Sequence, residues 1–110
     1  MAFGLNIFKT VTFDLSTINY EIYTAPAGYS AIILMAQVTN VSAGTEQVTM
    51  AVLAPDSGET SLANDFDIPA NDSAGMLTGK LVLETGYGIT ASASTNGTLK
   101  LVLSILESKN

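Results

Sequence analysis

The chain contains no cysteine, no histidine and no tryptophan, and its four basic residues are all lysine. Without cysteine there is no disulfide framework, no thiol nucleophile and no thiolate metal site. Without histidine as well, the commonest general bases and activated nucleophiles are missing, so an enzyme is not expected. Charge is scarce too. Charged residues make up 13% of the 110 residues, against ~25% in an average soluble domain. Ten acids oppose the four lysines, for a net charge of −6. Displacing counterions from phosphates takes clustered cations, so nucleic acid is not an expected partner. An anionic membrane surface is disfavoured for the same reason. No window reaches the ~20 apolar residues of a spanning helix. The N-terminus lacks the basic start, apolar run and small-residue site of a secretory signal, so synthesis in a cytoplasm without a signal peptide is expected.

What is present is apolar residue, at 47% of the chain, arranged with a period of two. A chain of this length forms a single domain, residues 1–110, and buries roughly two-thirds of its unfolded surface. Phe3 to Phe13 alternates, as does Tyr20 to Thr24, both reading as strands. Pro26-Ala27-Gly28 is a turn that leads into the most apolar segment, Ala31 to Val38. There one parity carries Ala31, Ile33, Met35 and Gln37, and the other carries Ile32, Leu34, Ala36 and Val38. Strands also read at Glu46 to Leu53, at a short edge near Phe66 to Ile68, at Met76 to Glu84, at Ile89 to Ser94 and at Thr98 to Glu107. Ala54 to Asn64 reads as a long polar loop, and Ala70 to Ala74 as a turn. Asn96-Gly97 is the strongest two-residue hairpin signal, because a type I′ turn needs positive φ at both positions. About eight short strands with turns between them and no helix pattern predict an all-β fold, an antiparallel β-sandwich or jelly roll.

Candidate chemistry is thin. Asp65 and Asp67 stand two apart, so a strand would put them on one face. A glycosidase pair needs a larger cleft than this chain builds around them. The acids Asp56, Glu59, Asp65 and Asp67 lack the spacing of a calcium loop and read as a solvated, partner-facing loop. No metal or cofactor is expected. The tyrosines and Phe66 could in principle stack on sugars, though aromatics on sandwich strands are more often core. The Asn40-Val41-Ser42 sequon reads as turn chemistry. Several strands are apolar on both parities, whereas a two-layer sandwich needs one apolar face per sheet. The surplus implies a second buried surface, between subunits. Its candidate residues are Phe3, Leu5, Ile7, Ile32, Leu34, Val102 and Leu106.

A set of turns and strands adds a resemblance. Tyr23 to Gly28, Val38 to Asn40, Val48 to Val52, Ile68 to Ala70, Leu81 to Gly86 and Ile89 to Ser94 together resemble small virion proteins of tailed bacteriophages. The resemblance implies a β-sandwich subunit of the virion, commonly a homotrimer, with no catalytic residues. It implies a capsid decoration or cement subunit that stabilises the head shell, with copies of itself and the major capsid protein or a tail component as partners. A tail-fibre or spike module binding host-surface glycans is the alternative.

Overall fold

The computed structural model describes residues 6–110, so Phe3 and Leu5 lie outside the described residues. Among the described residues nine strands form: β1 (Asn6–Asp14), β2 (Tyr20–Thr24), β3 (Tyr29–Asn40), β4 (Glu46–Ala54), β5 (Gly58–Ile68), β6 (Ser73–Gly75), β7 (Leu81–Leu83), β8 (Gly88–Ala93) and β9 (Leu99–Lys109). Sheet A has the order β1-β9-β3, with β6 and β7 sharing the far side of β3; sheet B has the order β2-β8-β4-β5. All pairings are antiparallel. They nest: β4 with β5, β3 with β6 and β7, β2 with β8, β1 with β9. The chain is therefore one long folded ribbon rolled into two layers, which is a jelly roll.

The core lies between the layers. β9 contributes Leu99, Leu101, Leu103 and Ile105, β3 contributes Ile33 and Val38, and sheet B answers with Val48, Met50, Ile68 and Ile89, all at 1% exposure or less. Burying each such side chain contributes about 1.5–3 kcal/mol before conformational entropy is charged against it.

Crossovers between the layers come in bonded pairs, as the nesting requires. At one end, Leu15 N–H donates to the Leu99 carbonyl and Gly97 N–H to that of Leu15, while Ala93 N–H reaches Ser16. At the other, Ala25 N–H donates to Tyr87 and Gly86 N–H to Ala25. Pro26 to Gly28 turns as expected. Tyr29 N–H closes it on the Pro26 carbonyl at 3.0 Å, and Gly28 takes φ 81°.

Four local expectations need correction. Asn96-Gly97 is not a hairpin, because β8 and β9 belong to different sheets. Only Gly97 has positive φ, and the Asn96 carboxamide accepts from Thr17 N–H at 2.9 Å, tying two crossovers together. The polar stretch after Ala54 is not a loop beyond Ser57. β5 starts at Gly58 and ladders onto β4, so Glu59, Asp65 and Asp67 are strand residues and Asp56 alone of that group sits in the turn. Polarity misled there because β5 is an edge strand with one wet face. The strand expected at Met76 to Glu84 shrinks to Leu81–Leu83, and a short strand appears instead at Ser73–Gly75.

The last correction concerns β3. Against β9, Ile33 pairs with Ile105 and Met35 with Ser104, leaving Leu34 as an extra residue. This β-bulge breaks the alternation. Ile33 and Ala36 are buried, whereas Leu34 and Met35 are each 37% exposed. The segment is thus not two continuous apolar faces; it changes phase in the middle.

Asn40 ends β3 with no exposed surface. Its Nδ2 donates to the Gly44 and Ile68 carbonyls, each at 2.9 Å, and its Oδ1 accepts from Ser42 N–H and Oγ. The sequon asparagine is therefore fully used inside the fold. Asn40→Ala is expected to lower unfolding free energy by about 2–4 kcal/mol in urea titrations, since buried carbonyls lose their donors. The bulge makes a second prediction. Ile33→Asp unfolds the domain, while Leu34→Asp and Met35→Asp both stay folded, each losing less than about 1.5 kcal/mol by circular dichroism melts. An unbulged strand would make Met35→Asp as damaging as Ile33→Asp.

Candidate functional site: the outer face of sheet A

Two polar clusters join strands of the fold. In one, Glu107 on β9 is 2% exposed and accepts from the Tyr23 hydroxyl at 2.5 Å. Lys9 on the edge strand β1 pairs with it at 3.2 Å. Tyr23 belongs to sheet B, so the cluster clamps one sheet to the other. Burial, then the hydrogen bond to Glu107, then its charge push the Tyr23 hydroxyl well above the ordinary tyrosine value. The Tyr23 hydroxyl thus keeps its proton on the hydrogen bond that joins the two sheets.

In the other, the Glu59 carboxylate accepts from Thr90 Oγ1 at 2.5 Å and from Asn19 Nδ2 at 2.8 Å. These bonds, Thr90 first, lower its pKa. The outer surface of sheet B is knitted together by such contacts. Gln47 donates to Asp67 at 3.0 Å. Thr49 Oγ1 accepts from Asp65 N–H at 3.0 Å where β5 bulges and Asp65 adopts φ 49°. Asp65 and Asp67 are each engaged by their own neighbour on β4. Among the described residues no group of three or more metal-ligating side chains is placed to hold an ion. The described aromatics are dispersed: Tyr23 and Tyr87 pack on the core, Tyr20 lies 5.7 Å from Phe13, and Phe66 stands exposed on β5. An open depression between Leu62 and the 76–81 segment carries Lys80 as its one charged side chain.

The outer face of sheet A is different in kind. Register aligns Phe8 with Leu106, Leu106 with Ile32, and Ile32 with Val82. Opposed residues in a sheet share a face, so these four form an apolar row across four strands. Phe8 is 75% exposed and Val82 63%; Ile32 and Leu106 are half-buried by their neighbours. The bulge adds Leu34 and Met35 beside the row. Thr10, Ser104, Thr12, Val102 and Gln37 continue the surface along the strands without a charge.

Of the residues expected at a subunit interface, Ile32, Leu34, Val102 and Leu106 are brought together on this face. Ile7 is not: it pairs with Glu107, whose side chain is buried, and so sits on the inward parity at the open end of β1. Sequence reasoning missed Phe8 and Val82, the most exposed members. Phe8 lies off the Phe3-Leu5-Ile7 parity, and Val82 shares its parity with the charged Lys80 and Glu84. Only the cross-strand register unites them.

No family model matches the chain, and no curated protein matches it by sequence. Solved structures do match its fold. A pilus chain of Bacillus endospore appendages, described as disulfide-linked, superposes with TM-score 0.58 at 11% identity, covering 96% of this chain and 87% of that one. A chain from the acidic stable capsid of Helicobacter pylori bacteriophage KHP30 gives 0.57 at 12%, covering 94% and 87%. A chain of the T13 particle of infectious bursal disease virus gives 0.53 at 10%, with 96% of this chain matched to 31% of the viral one. The shared property at these identities is the fold.

The clusters predict a pH profile. Glu59 has a lowered pKa in the folded state, so its contribution is present above the ordinary value of 4.5 and is lost as pH falls through the folded value. Tyr23 is raised, so its contribution is present below its ordinary value of 10.0 and is lost as pH rises past it. Glu59→Gln should flatten the loss of melting temperature between about pH 6 and pH 3, and Tyr23→Phe the loss above about pH 10. Unchanged slopes in both variants would show that neither group senses folding.

Proposed function

We propose that the chain is a structural subunit of a virus particle, a capsid decoration or cement subunit that stabilises the head shell through contacts among β-sandwiches. The observation that carries this reading is the uncharged apolar row on sheet A, which none of the described residues covers. A domain that worked alone would gain nothing from holding Phe8 and Val82 in water, and exposed patches of this kind mark association surfaces. The sequence pattern resembling tailed-phage virion proteins supports the same role, as does the fold shared with capsid chains. Linkage like that described for the pilus chain is closed to these 110 residues, which contain no cysteine.

The mechanism is additive. Each subunit that binds the assembled shell and not its separated parts shifts the equilibrium toward the shell, so many weak copies stabilise it by mass action. No reacting group is needed, and the polar side chains of sheet B serve solubility while the subunit waits to assemble.

Gold-conjugated antibody against the chain, applied to purified particles from a culture that produces it, is the test. Label over the heads, lost together with shell stability when the gene is deleted, is expected. Label confined to tails, or none on any particle, would overturn the reading.

A further inference from the structure

Charge is segregated between the two layers. Sheet B and its β4–β5 turn carry Glu21, Glu46, Asp56, Glu59, Asp65 and Asp67 and no lysine. All four lysines belong to sheet A or its connections. There Lys9 pairs with Glu107, and Lys100 with Asp14 at 3.0 Å. The sheet A side thus balances its four lysines against Asp14, Asp72, Glu84 and Glu107, around an apolar row on its outer face, whereas the charges of sheet B are all acidic.

From this we infer that two copies of the chain pair face to face through the outer surfaces of sheet A, about a twofold axis lying between them. The pairing specifies the contact behind the virion reading and rests on that reading. Three observations favour a second copy as the occupant. First, the charges on and beside the face balance: Lys100 pairs with Asp14, and Lys80 and Glu84 flank Val82, so two such faces meet without net like-charge repulsion. The acidic sheets then point away from each other, at the greatest separation the two sandwiches allow. A contact through sheet B would press carboxylates against carboxylates.

Second, the area suffices. Nine register pairs along β1 and β9 across four strand positions make a patch of about 30 by 19 Å at ordinary strand spacings. That is roughly 600 Å² per copy and about 1,200 Å² in all, at the lower edge of specific protein interfaces. Third, the row is suited to self-contact. It spans the whole sheet, with a large exposed side chain at each end, Phe8 on β1 and Val82 on β7, and a flat centre at Leu106 and Ile32. An isologous contact uses one patch twice. The homotrimer implied by the family resemblance would need two different patches per subunit. Among the described residues the other broad sheet face is the acidic one.

Sedimentation velocity of the full chain tests the inference. At about 10–100 µM the wild type should sediment as a dimer, and added salt should tighten the dimer by screening the acidic sheets. Phe8→Lys and Val82→Lys, at opposite edges of the face and at exposed positions, should each give monomers with unchanged circular dichroism and melting temperature. Ser61→Lys, on the exposed surface of sheet B, should remain dimeric. A monomeric wild type, a trimer, or a dimer that survives both lysine variants would overturn the inference. The virion reading fails separately: a monomer that still labels particle heads contradicts only the pairing, and a dimer absent from every particle contradicts only the virion role.

Discussion

The ladder between β3 and β9 is what the rest of the molecule depends on. It runs from Tyr29↔Lys109 to Asn40↔Leu99, the full length of both strands. Every other strand of sheet A hangs from one of these two: β1 from β9, and β6 and β7 from β3. The ladder's inner side supplies the buried leucines that sheet B covers. Its outer side supplies Leu106, Ile32 and Met35, the centre of the uncovered face. Core and candidate interface are therefore two faces of one pair of strands, and the bulge at Leu34 sets which residues serve which face.

That arrangement explains how far the sequence could be read. Strand periodicity and turn chemistry give the all-β architecture directly. Leu99, Leu101, Leu103 and Ile105 announce a core face, and Pro26 to Gly28 announces a turn. Alternation also shows that some faces are apolar in excess, which points to a contact beyond the core. Ile32, Leu34, Val102 and Leu106 were legible for that reason as residues outside the core, and the structure places them on the outer face of sheet A. Phe8 and Val82 were not, because membership of the face is decided by register between strands far apart in the chain. The phase change in β3 was hidden as well: Ile-Ile-Leu-Met offers no polar residue to mark where alternation slips.

The wrong turn at Asn96-Gly97 has a related cause. Local φ preference selects a tight reversal but does not say whether the next strand joins the same sheet or the opposite one. In a rolled ribbon most links change layers, so a hairpin signal becomes a crossover. Likewise the acids of β5 looked like a loop because an edge strand whose outward face meets water need not be apolar. Their bonds to Thr90, Gln47 and Thr49 keep that surface knitted and polar, and leave sheet A as the side suited to contact.

The central claim is that the outer face of sheet A is covered when the protein does its work. Hydroxyl-radical footprinting of the chain across a concentration series addresses that surface residue by residue. Phe8 and Met35 should become protected as concentration rises, while Tyr20 and Phe66, which are 45% and 47% exposed elsewhere, keep their reactivity. Phe8 and Met35 remaining as reactive at high concentration as at low would contradict the account.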